Sequence, residues 1–305
     1  MKQAHRVETI RIPKGTFLMG SSNGSAVGIG TPGIDPNATA AEPNSDYCWE
    51  TQHRVTLTQD YYMSKYPITN AQYAEFLNDA GIDRSGRKAD IQGWATLIEA
   101  SYGNYDWGLH HNGSWSQRWR RKCRWEPAAT YENHPVIHVS WYGAKAYAEW
   151  AGGNLPTEAQ WERAARGGVE NMPFGIGNGK RLTGAMANID GTYPYDLDRG
   201  GAYSGLSGAY VGRTTEVGAY SAYANAYELY DMHGNVFEWC LDRCDGSDNY
   251  VSFPAKDPVC TTGSFRVLRG GDWSDGARNC RSAYRSVDSP VIRGINVGFR
   301  VVFCP

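Results

Sequence analysis

The side chains able to do chemistry in this 305-residue chain are seven cysteines, seven histidines and a few oxygen-rich turns. Cys240 and Cys244 lie four apart with no matching second pair, so the thiols lack a zinc pattern. They are expected, with Cys48, Cys123, Cys260, Cys280 and Cys304, as buried small apolar groups or an odd disulfide. His134 and His138 are also four apart, which on a helix would suit a metal. Pro135 and the β-branched Val136, Ile137 and Val139 predict an extended segment instead, with both rings in structural roles. Asp231-Met232-His233-Gly234-Asn235-Val236 offers the hard oxygens that calcium takes, and equally reads as a plain Asp/Gly/Asn turn.

Charge gives no global field. Lysine and arginine number 30 against 32 acids, net −2, so neither nucleic acid nor an anionic membrane is attracted over the whole surface. The stretch Gln117 to Trp125 interleaves cations with indoles, which predicts arginine stacked on tryptophan in an ordered loop and no nucleic-acid partner.

Three helices can position these groups. Thr69 with Gln72, and Thr157 with Gln160, have the capping-box form, and Ser140 can cap a helix ending at Gly152-Gly153. Alternation over residues 5–20 reads as an early hairpin turned at Pro13-Lys14, and His53–Thr58 as a strand. Residues 21–44 read as a long loop. Beyond Gly168 the only regular candidates are short strands near Val236–Cys240, Phe265–Arg269 and Val297–Phe303. With 36 glycines, 11 tryptophans and 20 tyrosines, long loops held by aromatic packing are expected around little regular structure. No internal repeat is visible, so one domain over 1–305 is the simplest organisation. No apolar run is long enough to span a bilayer, and residues 1–15 lack a signal peptide's apolar stretch.

The segments Pro67-Ile68-Thr69-Asn70-Ala71-Gln72-Tyr73, Asn154-Leu155-Pro156-Thr157-Glu158-Ala159-Gln160-Trp161-Glu162, Gly234-Asn235-Val236-Phe237-Glu238-Trp239, Arg269-Gly270-Gly271 and Gly298-Phe299-Arg300 fall in one order. In that order and wording the chain resembles the formylglycine-generating-enzyme family of sulfatase modifiers. The resemblance implies an α+β, C-type-lectin-like fold of that subclass, loop-rich with small sheets and a few helices. It also implies a calcium ion on the Asp231 side chain and the carbonyls of Met232, Gly234 and Val236. Another family calcium site falls on Asn188 and Ile189 but meets Ala209 where its later aspartate belongs. No cofactor is required, and calcium is open only as a structural ion.

The same resemblance places two copper-binding cysteines shortly after Arg269-Gly270-Gly271. This chain has Asp272 at the family's serine position, Ala277 near the second cysteine and a single thiol, Cys280. Two soft sulfur ligands are what Cu(I) demands, so the expectation is a protein with no catalytic residues, not an enzyme. The histidine-rich helical domain that supplies iron ligands in related sulfoxide synthases is also absent.

From Arg266 to Val302, fixed-looking words are separated by short mixed runs, similar to the variable region of proteins diversified by retroelements. The runs are Asp272; Ser274, Asp275 and Gly276; Arg278; Ser286, Val287, Asp288 and Ser289; Val291 and Ile292; and Gly294, Ile295 and Asn296. Tyr284 and Trp273 flank them as aromatic anchors, while Trp273, Cys280 and Phe299 are expected buried or paired. This frame, 266–302, predicts a non-catalytic receptor- or adhesin-like protein that presents a hypervariable surface to an unknown protein or surface ligand. Display outside the cell is expected, with membrane attachment only through an anchor absent from this sequence. The alternatives are a formylglycine-generating or related metal-dependent oxidase with relocated ligands, and a structural surface module.

Overall fold

The computed structural model describes residues 7–21, 50–87, 98–99, 107–111, 124–202, 208–245 and 255–305. Cys48, Cys123 and the basic stretch up to Cys123 lie outside the described residues, as does nearly all of the 21–44 segment.

The strand period over the first residues is real, but the hairpin is not. β1 (Thr9–Ile12) and β2 (Gly15–Met19) part at Pro13-Lys14. β2 pairs antiparallel with β3 (His53–Leu57), and β1 with β4 (Tyr61–Ser64). The Asp60 carboxylate fixes this corner by accepting from the Lys14 amide at 2.8 Å and from Arg11 Nε at 3.0 Å. Alternation specifies which face of a strand is buried and leaves its partner open.

α1 (Asn70–Asp79) begins at the complete Thr69/Gln72 capping box and buries Tyr73, Ala74, Phe76 and Leu77. It lies against β6 (Trp125–Pro127), which pairs with β5 (Leu109–His111). α2 (Trp141–Trp150) starts at Ser140, whose hydroxyl accepts from the Gly143 amide at 3.2 Å. α3 (Glu158–Arg166) has the second complete capping box and stops at Gly167, left-handed at φ 59°. Tyr73 of α1, Tyr147 of α2 and Phe299 pack with ring centroids 5.4 to 5.8 Å apart, joining the two helices to the C-terminal chain.

β7 (Arg181–Leu182), β8 (Tyr195–Asp196) and β9 (Gly201–Ala202) form a small antiparallel sheet. The sheet that carries the site follows: β10 (Phe237–Cys244) and β11 (Phe265–Arg269) pair antiparallel, β12 (Arg285–Asp288) joins β11, and β13 (Val297–Gly298) runs parallel to β10. The strand expected over Val297–Phe303 is split, because β14 (Val302–Phe303) leaves for β4 and completes the order β1-β4-β14. Between the two pieces Arg300 turns inward, fully buried.

Candidate functional site

Three arginines anchor the segment between β11 and β13. Arg269 pairs with Glu162 and lies 3.2 Å from Glu158; Arg285 meets both oxygens of Glu158 at 2.7 and 2.8 Å; Arg281 meets both oxygens of Glu50 at 3.0 Å. All are buried, and planar guanidinium forks suit such two-point pairing. Gly270 and Gly271, at φ 100° and 69°, turn the chain sharply after β11. The turn is tied to the Gly234–Val236 stretch, since the Gly234 amide donates to Gly270 O at 2.8 Å and the Trp273 amide to Asn235 O at 3.2 Å.

Two carboxyl groups meet just past this turn. Asp272 Oδ1 accepts from the Ser274 amide at 2.7 Å and its hydroxyl at 2.6 Å, while Oδ2 accepts from Asn296 Nδ2 at 2.6 Å. Asp275 Oδ2 accepts from the Asp272 amide at 3.3 Å, and its Oδ1 from Asn279 Nδ2 at 2.9 Å. Burial, followed by the neighbouring Asp272 charge, pushes the Asp275 carboxyl up to about 7. Burial raises Asp272 as well, against four hydrogen bonds that favour its anion. The pair therefore holds a proton near neutral pH, with Asp272, which has more hydrogen bonds to its anion, the better-stabilised partner for the charge.

Aromatic rings frame this pair. Trp273 is stacked by the half-exposed Tyr210 at 6.3 Å and met edge-on by Trp107 at 6.2 Å. Tyr193, 57 % exposed, sits over Gly276, where a Cβ would come within 2.8 Å of the Tyr193 Cβ.

The copper site does not fit these residues. Cys280 is fully buried, its thiol pushed well up by burial and packed against Gly271, and Ala277 beside it has no exposure. Two thiolates are needed, and among the described residues this segment supplies one reluctant thiol. Cys240, Cys244 and Cys260 are buried as expected, whereas Cys304 is exposed. His134 is structural too, with Nδ1 2.9 Å from the Thr214 hydroxyl.

Display of the whole mixed set is corrected by burial. Asp272 is 2 % exposed and serves as a clamp, because three side-chain and backbone donors enclose its carboxylate. Trp273, Cys280 and Phe299 are buried as expected. Ser286, Val287 and Asp288 are half-buried on β12, opposite Leu268, Val267 and Arg266. Tyr284 is half-buried with its ring 6.5 Å from Phe237, and Ser289 bonds back to Asp288. Ser274, Val291 and Ile292 are exposed, while Arg278, Gly294, Ile295 and Asn296 are half-buried. Asp272, Ser274, Asp275, Gly276 and Asn296 come together; the β12 residues belong to another part of the sheet. Asn279, Tyr193, Tyr210 and Trp107 were missed. Asn279 carries a faint signal, being four after Asp275 on a short 3-10 turn, Ala277–Cys280; the three rings arrive from distant loops and carry none.

At the other oxygen-rich turn Asp231 is left-handed at φ 57°, and its Oδ2 accepts from the Gly218 amide at 2.7 Å. Burial pushes this carboxyl up to about 6. Asp231, Met232, His233, Tyr220 and Tyr223 line a small pocket. The donor set is compatible with calcium but thin: one carboxylate, with the Gly234 carbonyl already accepting from the Val236 amide at 3.0 Å. Among the described residues no three His, Cys, Asp or Glu side chains converge as a metal cluster.

A family model described as sulfatase-modifying factor enzyme 1-like domain matches residues 1–304. The chain belongs to this family. A formylglycine-generating enzyme of Thermomonospora curvata is 31% identical over 97% of this chain and 93% of its own length. One of Streptomyces coelicolor is 32% identical over 95% and 87%. Among solved structures, PvdO of Pseudomonas aeruginosa superposes with TM-score 0.61 at 24% identity, covering 97% of this chain and 94% of its own. Treponema denticola variable protein 1 gives 0.59 at 23% identity, covering 97% and 95%. The fold is the C-type-lectin-like fold of the formylglycine-generating-enzyme subclass, mixed α/β with few helices and small sheets.

These relatives overturn the expectation of a non-catalytic variable protein. Sequences almost one-third identical along nearly the whole chain are formylglycine-generating enzymes, whereas the likeness to the Treponema protein, below 25% identity, bears on fold alone. The missing thiolate pair was too narrow a ground for excluding catalysis, because the rest of the sequence sides with enzymes.

Proposed function

We propose that this chain is an enzyme of the formylglycine-generating type in which the Asp272–Asp275 carboxyl pair moves the proton of a peptide thiol, while dioxygen, with two electrons and two protons from a thiol reductant, is the oxidant that leaves the aldehyde, hydrogen sulfide and water. The observation that carries the reading is the Asp272–Asp275 pair, directly after the double-glycine turn, in a chain 31% identical to a formylglycine-generating enzyme. Asp275 is the proton acceptor. Its carboxyl, held to about 7, takes up and returns a proton close to neutral pH. Asp272, locked by Ser274 and Asn296, keeps the local charge that raises its neighbour. Tyr193, Tyr210 and Trp273 supply a wall against which a peptide side chain packs. No step is routed through copper.

A cysteine-containing peptide incubated with the purified protein and read by mass spectrometry tests this. With dioxygen and a thiol reductant supplied, conversion that Asp275→Asn abolishes is the expected result. Absence of conversion with or without added copper, iron or manganese overturns the enzyme reading, and conversion that Asp275→Asn leaves unchanged overturns the role given to the carboxyl pair.

We propose calcium as a structural ligand of the Asp231 turn, through the Asp231 carboxylate and the Met232, Gly234 and Val236 carbonyls. What supports it is a carboxylate with one backbone donor in a left-handed turn, at a place where burial disfavours its charge.

A further inference from the structure

His138 has an unusual position for a side chain with no part in the proposed reaction. It is 6 % exposed and left-handed at φ 58°, a backbone state that costs a non-glycine residue about 1 kcal/mol. Its Nε2 is buried with no hydrogen-bond partner among the described residues. Its amide donates to Gly294 O at 2.9 Å, and its Nδ1 lies 3.4 Å from Arg293 O. Three positions on, the Trp141 amide at the start of α2 donates to Pro290 O at 3.1 Å.

These contacts hold one segment. Residues 289–296 leave β12, run over His138 and the start of α2, and return to β13, with Val291 and Ile292 facing solvent. At the far end Asn296 Nδ2 grips Asp272 Oδ2 at 2.6 Å, and Ile295 O accepts from Trp273 Nε1 at 3.4 Å. The segment therefore connects the histidine to the carboxylate pair.

We propose that residues 289–296 form a strap that His138 latches while its ring is neutral and releases when the ring is protonated, freeing Asn296 from Asp272. A proton on Nε2 would be buried without an acceptor, a costly placement that opening to water removes. Two charged groups face the ring: the Arg293 guanidinium, which opposes a second positive charge, and Glu99, which favours it and is itself 3.3 Å from Arg293. Burial outweighs both, holding the ring below the ordinary histidine range. Opening restores the ordinary value of about 6.5, so the opening constant rises as pH falls below it, by up to about tenfold per pH unit.

Hydrogen exchange of the 288–296 peptide, measured by mass spectrometry between about pH 7.5 and 5 and corrected for intrinsic rates, tests the strap independently of any activity. In the wild type the strap loses protection as pH falls while α3 keeps its own. His138→Asn, a residue that tolerates the left-handed conformation and does not titrate, abolishes this dependence. An unchanged dependence in His138→Asn, or a flat profile in the wild type, overturns the proposal. Should His138→Asn fail to fold, Arg293→Met replaces it: removing the cation leaves Glu99 facing the ring, so the pH response must flatten, and a steeper or unchanged response overturns the proposal.

Discussion

Arg281 meets Glu50 through two hydrogen bonds of 3.0 Å, across 231 positions of chain, with both side chains buried. This ion pair ties the segment that carries the Asp272–Asp275 pair to the N-terminal part of the fold. Removing one partner leaves the other charged and buried, so Arg281→Met should cost about 3–5 kcal/mol. The Arg281→Met/Glu50→Leu double variant should recover much of that loss. Urea unfolding of the two single variants and the double variant measures the coupling; additive losses would show that the pair is not a unit.

Asp275→Asn should change stability and activity in opposite directions. An amide keeps an acceptor for the Asp272 amide, offers a new partner to Asn279 and removes a like charge beside Asp272. At pH 8 it should stabilise by on the order of 1 kcal/mol while abolishing turnover, as a reactive group placed at a cost to the fold should. Denaturation midpoints and peptide conversion measured on the same preparation check this.

The wild-type pH profile should have two limbs. His134 and His233 are pushed down to about 4 by burial, so between the ordinary value of about 6.5 and 4 the unfolded chain binds more protons and stability falls with acid. Asp242 and Asp275 are pushed up to about 7, mainly by burial, so the folded chain binds more protons from about 4 up to 7 and stability falls as pH rises through that window. Between 4 and 6.5 the two effects oppose; from about 6.5 to 7.5 only the carboxyl effect remains. Thermal midpoints should decline over that upper interval, with a shallower slope in Asp275→Asn.

The thiols should separate by burial. Cys304 is exposed, while Cys240, Cys244, Cys260 and Cys280 are buried, and burial pushes the Cys240 and Cys280 thiols well up. Under native conditions iodoacetamide should label Cys304 first among the cysteines of the described residues and leave Cys280 unlabelled until the chain unfolds. Rapid native labelling of Cys280, followed by peptide mapping, would count against a site without reactive sulfur.

Calcium should raise the thermal midpoint of the wild type, and chelation should reverse the rise. A ligand at a hundred times its dissociation constant stabilises by about 2.7 kcal/mol. Asp231→Ala should remove the response to calcium, while Asp242→Ala, which loses bonds from the Glu158 and Cys260 amides, should keep it despite its lower stability.

Where side chain and backbone interact locally, the sequence was legible. The capping boxes at Thr69 and Thr157, the stop at Gly167 and the span of β11 were all readable, because each involves residues within a few positions of one another. The supposed hairpin of β1 and β2 was not, because strand partners are chosen by packing across the whole core. The split of β13 from β14 follows from the same cause. Burial of Asp272 was hidden as well: an aspartate in a mixed polar run reads as surface until Ser274 and a residue 24 positions on, Asn296, are seen to enclose it.

By itself the sequence determined the three helices, the order of the family segments and the presence of a single thiol, Cys280, in the segment 272–285. Only the tertiary structure decided that Asp272 and Asp275 share a buried site, that Tyr193, Tyr210 and Trp107 frame it, and that His138 lies beneath the strap holding Asn296. The physical reason is range. Caps and periodicity act within a turn or two of chain, whereas a carboxyl group's affinity for its proton is set by neighbours that folding brings from far along the chain.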